Sequence, residues 1–193
     1  MSSYDHLVNQ STNLFEKKYS HIEFNKYLLV SPNDQILLYI ADKKIIKNYS
    51  ISTSKFGLGN INDSFQTPTG LHCIEEKIGD GMPIYTVFRG RKTLENNLTL
   101  QDLYNNKKVY NNHFKDHEDV ITSRILRLKG LEPSINSGGD VDSYLRYIYI
   151  HGTAHEDQIG EKASHGCIRM KNIDIIDLYD ISSEQMIVLI LNN

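Results

Sequence analysis

The sequence predicts a mainly β, sandwich-like domain with a few short helices. Short apolar runs alternate with turn clusters through most of the chain, as where residues 27–30 end at the turn cluster 31–34 and residues 35–40 follow. The apolar run over residues 186–191 is typical of a buried closing strand. With 193 residues, the chain is long enough to bury one core of ordinary size.

Residues 1–24 are predicted to form an N-terminal arm or short helix, and residues 25–193 the main domain. Strands are predicted over residues 27–30, 35–40, 45–51, 71–74, 84–88, 120–128, 147–150 and 186–191. Residues 89–119 are rich in Asn, Lys and His, which indicates an insertion or lid, partly helical near residues 100–103. A helix is predicted behind a cap at Asn172.

Composition and charge argue against several functions. The formal net charge is −3 and the 21 Lys and Arg residues are spread along the chain, so we expect no nucleic-acid interface. No stretch approaches the ~20 apolar residues of a membrane span. The first ten residues lack the features of a signal peptide, so the expected location is cytoplasmic, where a thiol stays reduced. A periplasmic location is the expectation if the chain has been trimmed.

One stretch concentrates residues suited to cysteine catalysis. They stand in two strings, His151-Gly152 and Ser164-His165-Gly166-Cys167. Cysteine catalysis requires a thiolate, an imidazole that generates it, and backbone donors for the developing oxyanion. Glycine allows the chain to approach a substrate closely. The pattern therefore predicts Cys167 as a nucleophile, with the amides of Gly166 and Cys167 as oxyanion donors.

A zinc site is the main alternative for this stretch. Four residues are zinc ligands by type: His151, His155, His165 and Cys167. Structural zinc sites, however, usually contain paired Cys or His knuckles, and no second cysteine is near Cys167. His113 and His117 lie four apart, but a solvated surface explains them better. The other cysteine, Cys73, follows a strand pattern that favours a buried, inert thiol.

The string 164–167, with His151-Gly152 upstream, resembles the signature of L,D-transpeptidase catalytic domains (YkuD-like). Residues 67–70 (Thr-Pro-Thr-Gly) resemble the TPxG loop of this family. Residues 50–54, 121–124 and 146–150 resemble its neighbouring strands. The resemblance covers roughly residues 25–191.

The resemblance implies a mostly β fold and acyl transfer at the bond between an L-centre and a D-residue of a peptidoglycan stem peptide. It assigns Cys167 as nucleophile and His151 as base, with the carbonyl of Gly152 orienting the imidazole. His165, Gly166 and Cys167 would frame the oxyanion site. No metal or organic cofactor is expected.

Three further residues are candidates for substrate binding: Arg169, Ser164 and Tyr149. Arg169 suits bidentate recognition of a stem-peptide carboxylate, and a structural ion pair is the equal alternative. Ser164 has the alternative role of fixing its loop. Many family members have Asn at the position of Arg169, and residues 89–119 have no counterpart that we can place.

The expected activity is that of an L,D-carboxypeptidase, which removes the terminal D-alanine from tetrapeptide muropeptides during cell-wall recycling. The alternatives are an L,D-transpeptidase that forms 3-3 cross-links or exchanges D-amino acids, and a non-catalytic peptidoglycan-binding module. The expected partners are stem peptides or muropeptides, and carbapenem-type inhibitors are expected to react with Cys167.

Overall fold

The computed structural model describes residues 4–22, 24–106, 111 and 119–193. These residues form ten strands and three α-helices. The strands are β1 (Lys26–Ser31), β2 (Ile36–Ala41), β3 (Lys44–Ser52), β4 (Gly70–Ile78), β5 (Val87–Arg89), β6 (Lys92–Thr93), β7 (Ile121–Gly130), β8 (Tyr149–Thr153), β9 (Ile168–Met170) and β10 (Ile187–Ile190). The helices are α1 (Asp5–Lys18), α2 (Leu100–Asn105) and α3 (Asn172–Ile181).

All ten strands belong to one sheet in the order β4-β10-β1-β2-β3-β9-β8-β7-β5-β6, and β4 also pairs with β7. This extra pairing closes the strands from β4 to β7 into a ring whose two sides face each other across a common core. Two of the pairings are parallel, β1 with β10 and β8 with β9. The predicted mainly β fold with few helices is confirmed.

The core inside the ring is built by every second residue of its strands, as the two-residue period of a strand requires. Leu28 and Val30 of β1 face inward, as do Ile150 of β8 and Ile168 of β9. Helix α3 packs into the same core with Ile175, Leu178 and Tyr179. The inward faces therefore bury a continuous apolar surface, which is the largest favourable contribution to folding.

Helix α1 covers the opposite face of β1 and its neighbours. Its buried residues Leu7, Val8, Ser11 and Phe15 form one stripe of the helix. Phe15 is fully buried against the rings of Phe24 and Tyr27, with centroid distances of 4.3 and 4.9 Å. The N-terminal residues thus form a helix that shares a hydrophobic core with the sheet.

The described part of the segment 89–119 packs against the outside of the ring. Leu94, Leu100 and Leu103 form a small buried cluster with Val87 and Val120. Helix α2 begins after Thr99, which forms a reciprocal capping box with Asp102. The predicted helix near residues 100–103 is present. Residues 107–110 and 112–118 lie outside the described part, so the lid stays a prediction.

Two predicted strands begin two or three residues later in the structure than in the prediction. The run 84–88 is a strand only from Val87, because Pro83 starts a turn and Tyr85 has a φ of 66°. The run 147–150 becomes β8 only at Tyr149, since Tyr147 has a φ of 56° and closes a turn onto Tyr144. His151 therefore lies within β8 rather than at the end of a strand.

We predict that Phe15→Ala lowers the free energy of unfolding by about 3–5 kcal/mol, because it removes a fully buried aromatic ring. Denaturant unfolding measures this change. Glu16→Ala on the next position is the control, since Glu16 is exposed and should change stability by less than about 1 kcal/mol. Equal effects of the two substitutions would show that α1 does not contribute to the core.

Candidate active site

The parallel pair β8–β9 brings the two main candidate residues to one face of the sheet. His151 pairs with Arg169, and Ile150 pairs with Ile168. Ile150 and Ile168 point into the core, so His151, Arg169 and Cys167 occupy the opposite face. Cys167 and His151 are therefore diagonal neighbours across the strand pair. The sequence predicted this proximity, but not the short strand β9 that produces it.

The ring of His151 is completely buried and oriented by its own strand. Nδ1 lies 2.8 Å from the carbonyl oxygen of Gly152. A carbonyl only accepts, so Nδ1 carries the proton and Nε2 is left with a free lone pair. Burial lowers the pKa of His151 below its ordinary value, which keeps the ring neutral at pH 7. His151 thus has the tautomer and the charge of a general base, and the predicted contact with Gly152 is present.

Gly152 allows the base to lie close to the neighbouring strand and helix. A Cβ at this position would lie 2.6 Å from the carbonyl oxygen of Thr122 and 2.8 Å from Oδ1 of Asn172. Asn172 begins α3 and links three elements: its Oδ1 accepts from Thr122 and its Nδ2 donates to the carbonyl of Thr153. The predicted cap at Asn172 is wrong, because Lys171 holds the N-cap position. The side chain of Asn172 instead ties β7 to β8 directly behind His151.

Cys167 is half-buried directly before β9, and it lines a surface pocket. Its thiol donates to the carbonyl oxygen of Tyr147, with an S–O distance of 3.5 Å. Nε2 of His151 has no hydrogen-bond partner among the described residues. In this resting arrangement the thiol and the imidazole share a face but are not hydrogen-bonded to each other.

The charge state of Cys167 follows from its surroundings. Burial raises the pKa of the Cys167 thiol to about 12, and the nearby Asp119 raises it further. Arg169 and Arg146 oppose this shift by lowering the pKa. The resting pair is therefore a neutral thiol and a neutral imidazole, and proton transfer has to accompany the attack on a substrate.

Asp119 and Arg169 form an ion pair beside the candidate base. Nε of Arg169 donates to Oδ2 of Asp119 over 2.7 Å, and the same oxygen lies 4.0 Å from Nε2 of His151. The Asp119 carboxylate raises the pKa of His151, whereas Arg169 lowers it. No motif in the sequence marks Asp119, which follows another acidic residue in a polar segment, so its place beside the base was not predicted.

The substrate-binding role predicted for Arg169 does not fit its placement. Arg169 is 3% exposed, and its guanidinium also donates to Oε1 of Gln158 over 3.0 Å. The side chain is committed to the ion pair with Asp119, so the structure favours the ion-pair alternative over the carboxylate clamp.

The prediction for Ser164 also needs correction. Ser164 is fully buried, and its hydroxyl donates to the carbonyl of Cys167 over 2.6 Å while accepting from the amide of Gly166 over 3.3 Å. It fixes the turn that presents Cys167 and does not face a substrate. Gly166 occupies this turn with a φ of 121°, a conformation that favours glycine.

The remaining two candidates, Tyr149 and His165, differ in exposure. Tyr149 is 6% exposed and packs in a small cluster with Phe88, Ile125 and Cys167, so it forms part of the wall behind the sulfur. His165 is exposed, and its ring centroid lies 5.6 Å from that of Phe56. Burial and the nearby Lys55 lower the pKa of His165, so this ring is neutral at pH 7.

Cys167 opens into a pocket of about 190 Å³. Its lining residues are Asn62, Asp63, Phe65, Arg146, Tyr147, Ile148, His165 and Cys167. The wall facing the sulfur comes from the loop that precedes the predicted TPxG residues 67–70. The contact of this loop with the site was not predicted, because the pairing of distant segments is not visible in local sequence patterns.

The zinc alternative finds no support in the described residues, where no three His, Cys, Asp or Glu side chains are grouped to hold a metal ion. His113 and His117 lie outside the described residues. Cys73 is 2% exposed, and burial raises the pKa of its thiol to about 11. None of the described helices has the length and apolar character needed to cross a membrane.

Comparison with known proteins identifies one matching family. The family model described as "YkuD: L,D-transpeptidase catalytic domain" matches residues 25–190. No curated protein matches the chain significantly.

Three solved structures illustrate the similarity of fold. A cysteine-to-serine mutant of an Enterococcus faecium L,D-transpeptidase is 14% identical with a TM-score of 0.50, over 88% of this chain and 50% of that one. The L,D-transpeptidase from Xylanimonas cellulosilytica is 14% identical with a TM-score of 0.50, over 94% of this chain and 69% of that one. L,D-transpeptidase 3 from Mycobacterium tuberculosis, in complex with a faropenem-derived adduct, is 12% identical with a TM-score of 0.50. The match covers 87% of this chain and 60% of that one. The chain thus spans between half and about two thirds of their lengths.

We predict that alkylation of Cys167 by iodoacetamide accelerates about tenfold per pH unit between pH 7 and pH 10, because the thiolate fraction rises in that proportion below the raised pKa. Peptide mapping after timed labelling measures the rate at Cys167 separately from Cys73. A rate that is constant between pH 6 and pH 8 would contradict a neutral resting thiol.

The ion pair beside the base predicts opposite shifts for two variants. Asp119→Asn removes a charge that raises the pKa of Cys167, so its alkylation profile moves to lower pH; Arg169→Gln removes a charge that lowers this pKa, so its profile moves to higher pH. Circular dichroism confirms that each variant is folded. Shifts in the same direction would show that the effects are structural rather than electrostatic.

Proposed function

The chain belongs to the L,D-transpeptidase catalytic-domain family, and from this premise we propose that it is a cysteine-dependent L,D-carboxypeptidase. It would remove the terminal D-alanine from tetrapeptide stem peptides or muropeptides of peptidoglycan. The observation that carries the proposal is the buried, neutral His151 with its proton on Nδ1, on the same strand face as Cys167. A nucleophile and a base in the correct tautomer are the minimum for acyl transfer.

In the first step, the sulfur of Cys167 attacks the carbonyl carbon that joins the third stem residue to D-alanine, while Nε2 of His151 takes the thiol proton. The thiol must rotate away from the carbonyl of Tyr147 to reach the imidazole. The negative charge on the substrate oxygen is stabilised by the backbone amides of His165 and Cys167. One strong donor of this kind contributes roughly 3–4 kcal/mol. The amide of Gly166, predicted as a third donor, already donates to Oγ of Ser164.

In the second step, the carbon–nitrogen bond breaks and His151 returns its proton to the departing amine of D-alanine. A thioester between Cys167 and the third stem residue remains. In hydrolysis, His151 then takes a proton from water, the hydroxide oxygen attacks the thioester carbonyl, and the sulfur leaves. The products are a tripeptide carboxylate and the regenerated thiol.

Hydrolysis and transpeptidation differ only in the second nucleophile. Water needs no binding site of its own, whereas an amine acceptor has to be held beside the thioester. The pocket at Cys167 measures about 190 Å³, below the roughly 300–1,000 Å³ of sites that enclose a drug-sized ligand. Its size suits one small group, which supports trimming of a terminal residue. The family membership keeps cross-linking or D-amino-acid exchange as the second candidate.

Cell-wall recycling in the cytoplasm is the setting that we propose for this activity, since soluble muropeptides are the substrates available there. The proposal extends to β-lactam inhibitors of the carbapenem type, which would acylate Cys167. A complex with the carbapenem imipenem is described for a protein of similar fold, the LD transpeptidase LdtMt1.

The direct test is mass spectrometry of a disaccharide tetrapeptide after incubation with the protein. We expect loss of one D-alanine, abolished by Cys167→Ala with a decrease of roughly 1,000-fold or more. Cys73→Ala is the matched control, because Cys73 lies on β4 away from the site and should leave the rate of D-alanine release within about threefold.

Dimers or exchanged D-amino acids as the exclusive products would favour transpeptidation. An unchanged substrate under all conditions, together with an unreactive Cys167, would favour the non-catalytic binding module.

A further inference from the structure

Arg146 is a partly buried cation in the same pocket as the candidate nucleophile. It lies in the turn before β8, directly before Tyr147, whose carbonyl oxygen accepts from the thiol of Cys167. The guanidinium and the sulfur are close enough for the charge on Arg146 to lower the pKa of Cys167. A group that reaches the sulfur through this pocket therefore passes beside Arg146.

Backbone carbonyls hold the guanidinium in place. It donates to the carbonyl oxygens of Gly59 over 3.1 Å and Gln66 over 2.7 Å, and to Oγ of Ser64 over 3.4 Å. A guanidinium has five N–H groups, so these contacts leave two of them available. The fork is thus fixed in orientation while part of its donor capacity remains for a ligand.

The charge of Arg146 lacks a direct counter-ion within the described part of the chain, where no carboxylate oxygen lies within the 4.0 Å of a salt bridge to it. Burial lowers the pKa of Arg146, and the carboxylate of Asp63, another lining residue, acts on it only from a greater distance. A partly desolvated cation without a close anion gains most from an anionic ligand.

We propose that Arg146 binds the free C-terminal carboxylate of the D-residue that Cys167 releases, and so restricts the enzyme to the last residue of the stem peptide. This inference rests on the proposed function. A peptide that continued beyond the fourth residue would bring an amide instead of a carboxylate to the guanidinium, and it would have to fit a pocket of about 190 Å³. Both features disfavour cleavage at an internal bond of a longer peptide.

The test compares two substrates, a tetrapeptide with a free C-terminal carboxylate and the same peptide ending in a carboxamide. With the wild-type protein we expect kcat/KM for the carboxylate to exceed that for the amide by roughly 10- to 100-fold, as for a hydrogen bond to a charged group. With Arg146→Gln the two values should agree within about threefold. The intrinsic difference between the leaving groups cancels in this comparison of ratios.

The ratio separates recognition from a structural role. Arg146 also fixes the loop 59–66, so Arg146→Gln can slow both substrates, but a purely structural defect would slow them equally and keep the wild-type ratio. Lys55→Gln is the matched control, since Lys55 is a cation next to His165 that does not line the pocket, and it should preserve the ratio.

The third stem residue of these test peptides is diaminopimelate, which carries a second carboxylate on its side chain. A third peptide with L-lysine at this position lacks that carboxylate and keeps the C-terminal one. If Arg146→Gln lowers kcat/KM for the diaminopimelate peptide but not for the lysine peptide, Arg146 recognises the side-chain carboxylate and the proposal is wrong. The proposal is also overturned if the wild-type protein cleaves acid and amide equally well. Absence of all cleavage by the wild-type protein would instead refute the carboxypeptidase function on which the proposal rests.

Discussion

The parallel pairing of β8 with β9 holds His151 and Cys167 on one face of the sheet. The other face of the same pair carries Ile150 and Ile168, which are completely buried in the core. A shift of one residue would move these apolar side chains out of the core and the candidate catalytic residues into it. Burial of the isoleucines therefore fixes the register, and the register fixes the relation of sulfur to imidazole. Stability and chemistry are two consequences of one strand pairing.

A second layer of contacts sets the electrostatics around this pair. The carbonyl of Gly152 selects the tautomer of His151, and burial keeps the ring neutral. The ion pair of Asp119 with Arg169 places two opposite charges next to the base. Their effects on the pKa of His151 oppose each other, because Asp119 raises this pKa and Arg169 lowers it. A neutral resting thiol is protected from adventitious reactions, and activation is confined to the moment when a substrate carbonyl is in place.

The sequence was sufficient to predict the mainly β fold and most strands, because alternating apolar residues and turn clusters are local signals. The string 164–167 likewise identified the nucleophile candidate, since a histidine and glycine next to a cysteine are rarely explained by packing. Asp119 and Arg146 were missed in their present roles, because they approach the site only after segments far apart in the chain have paired. Arg169 and Ser164 were assigned to the substrate, since burial and hydrogen-bond partners cannot be read from residue type.

The central claim is that Cys167 and His151 act as one unit. Rapid mixing with the tetrapeptide, an acid quench and intact-protein mass spectrometry would test it most directly. The account predicts a transient tripeptidyl adduct that maps to Cys167 in the wild-type protein and does not accumulate in His151→Ala. Release of D-alanine without any adduct on Cys167, or an adduct that forms as fast without the imidazole, would contradict it.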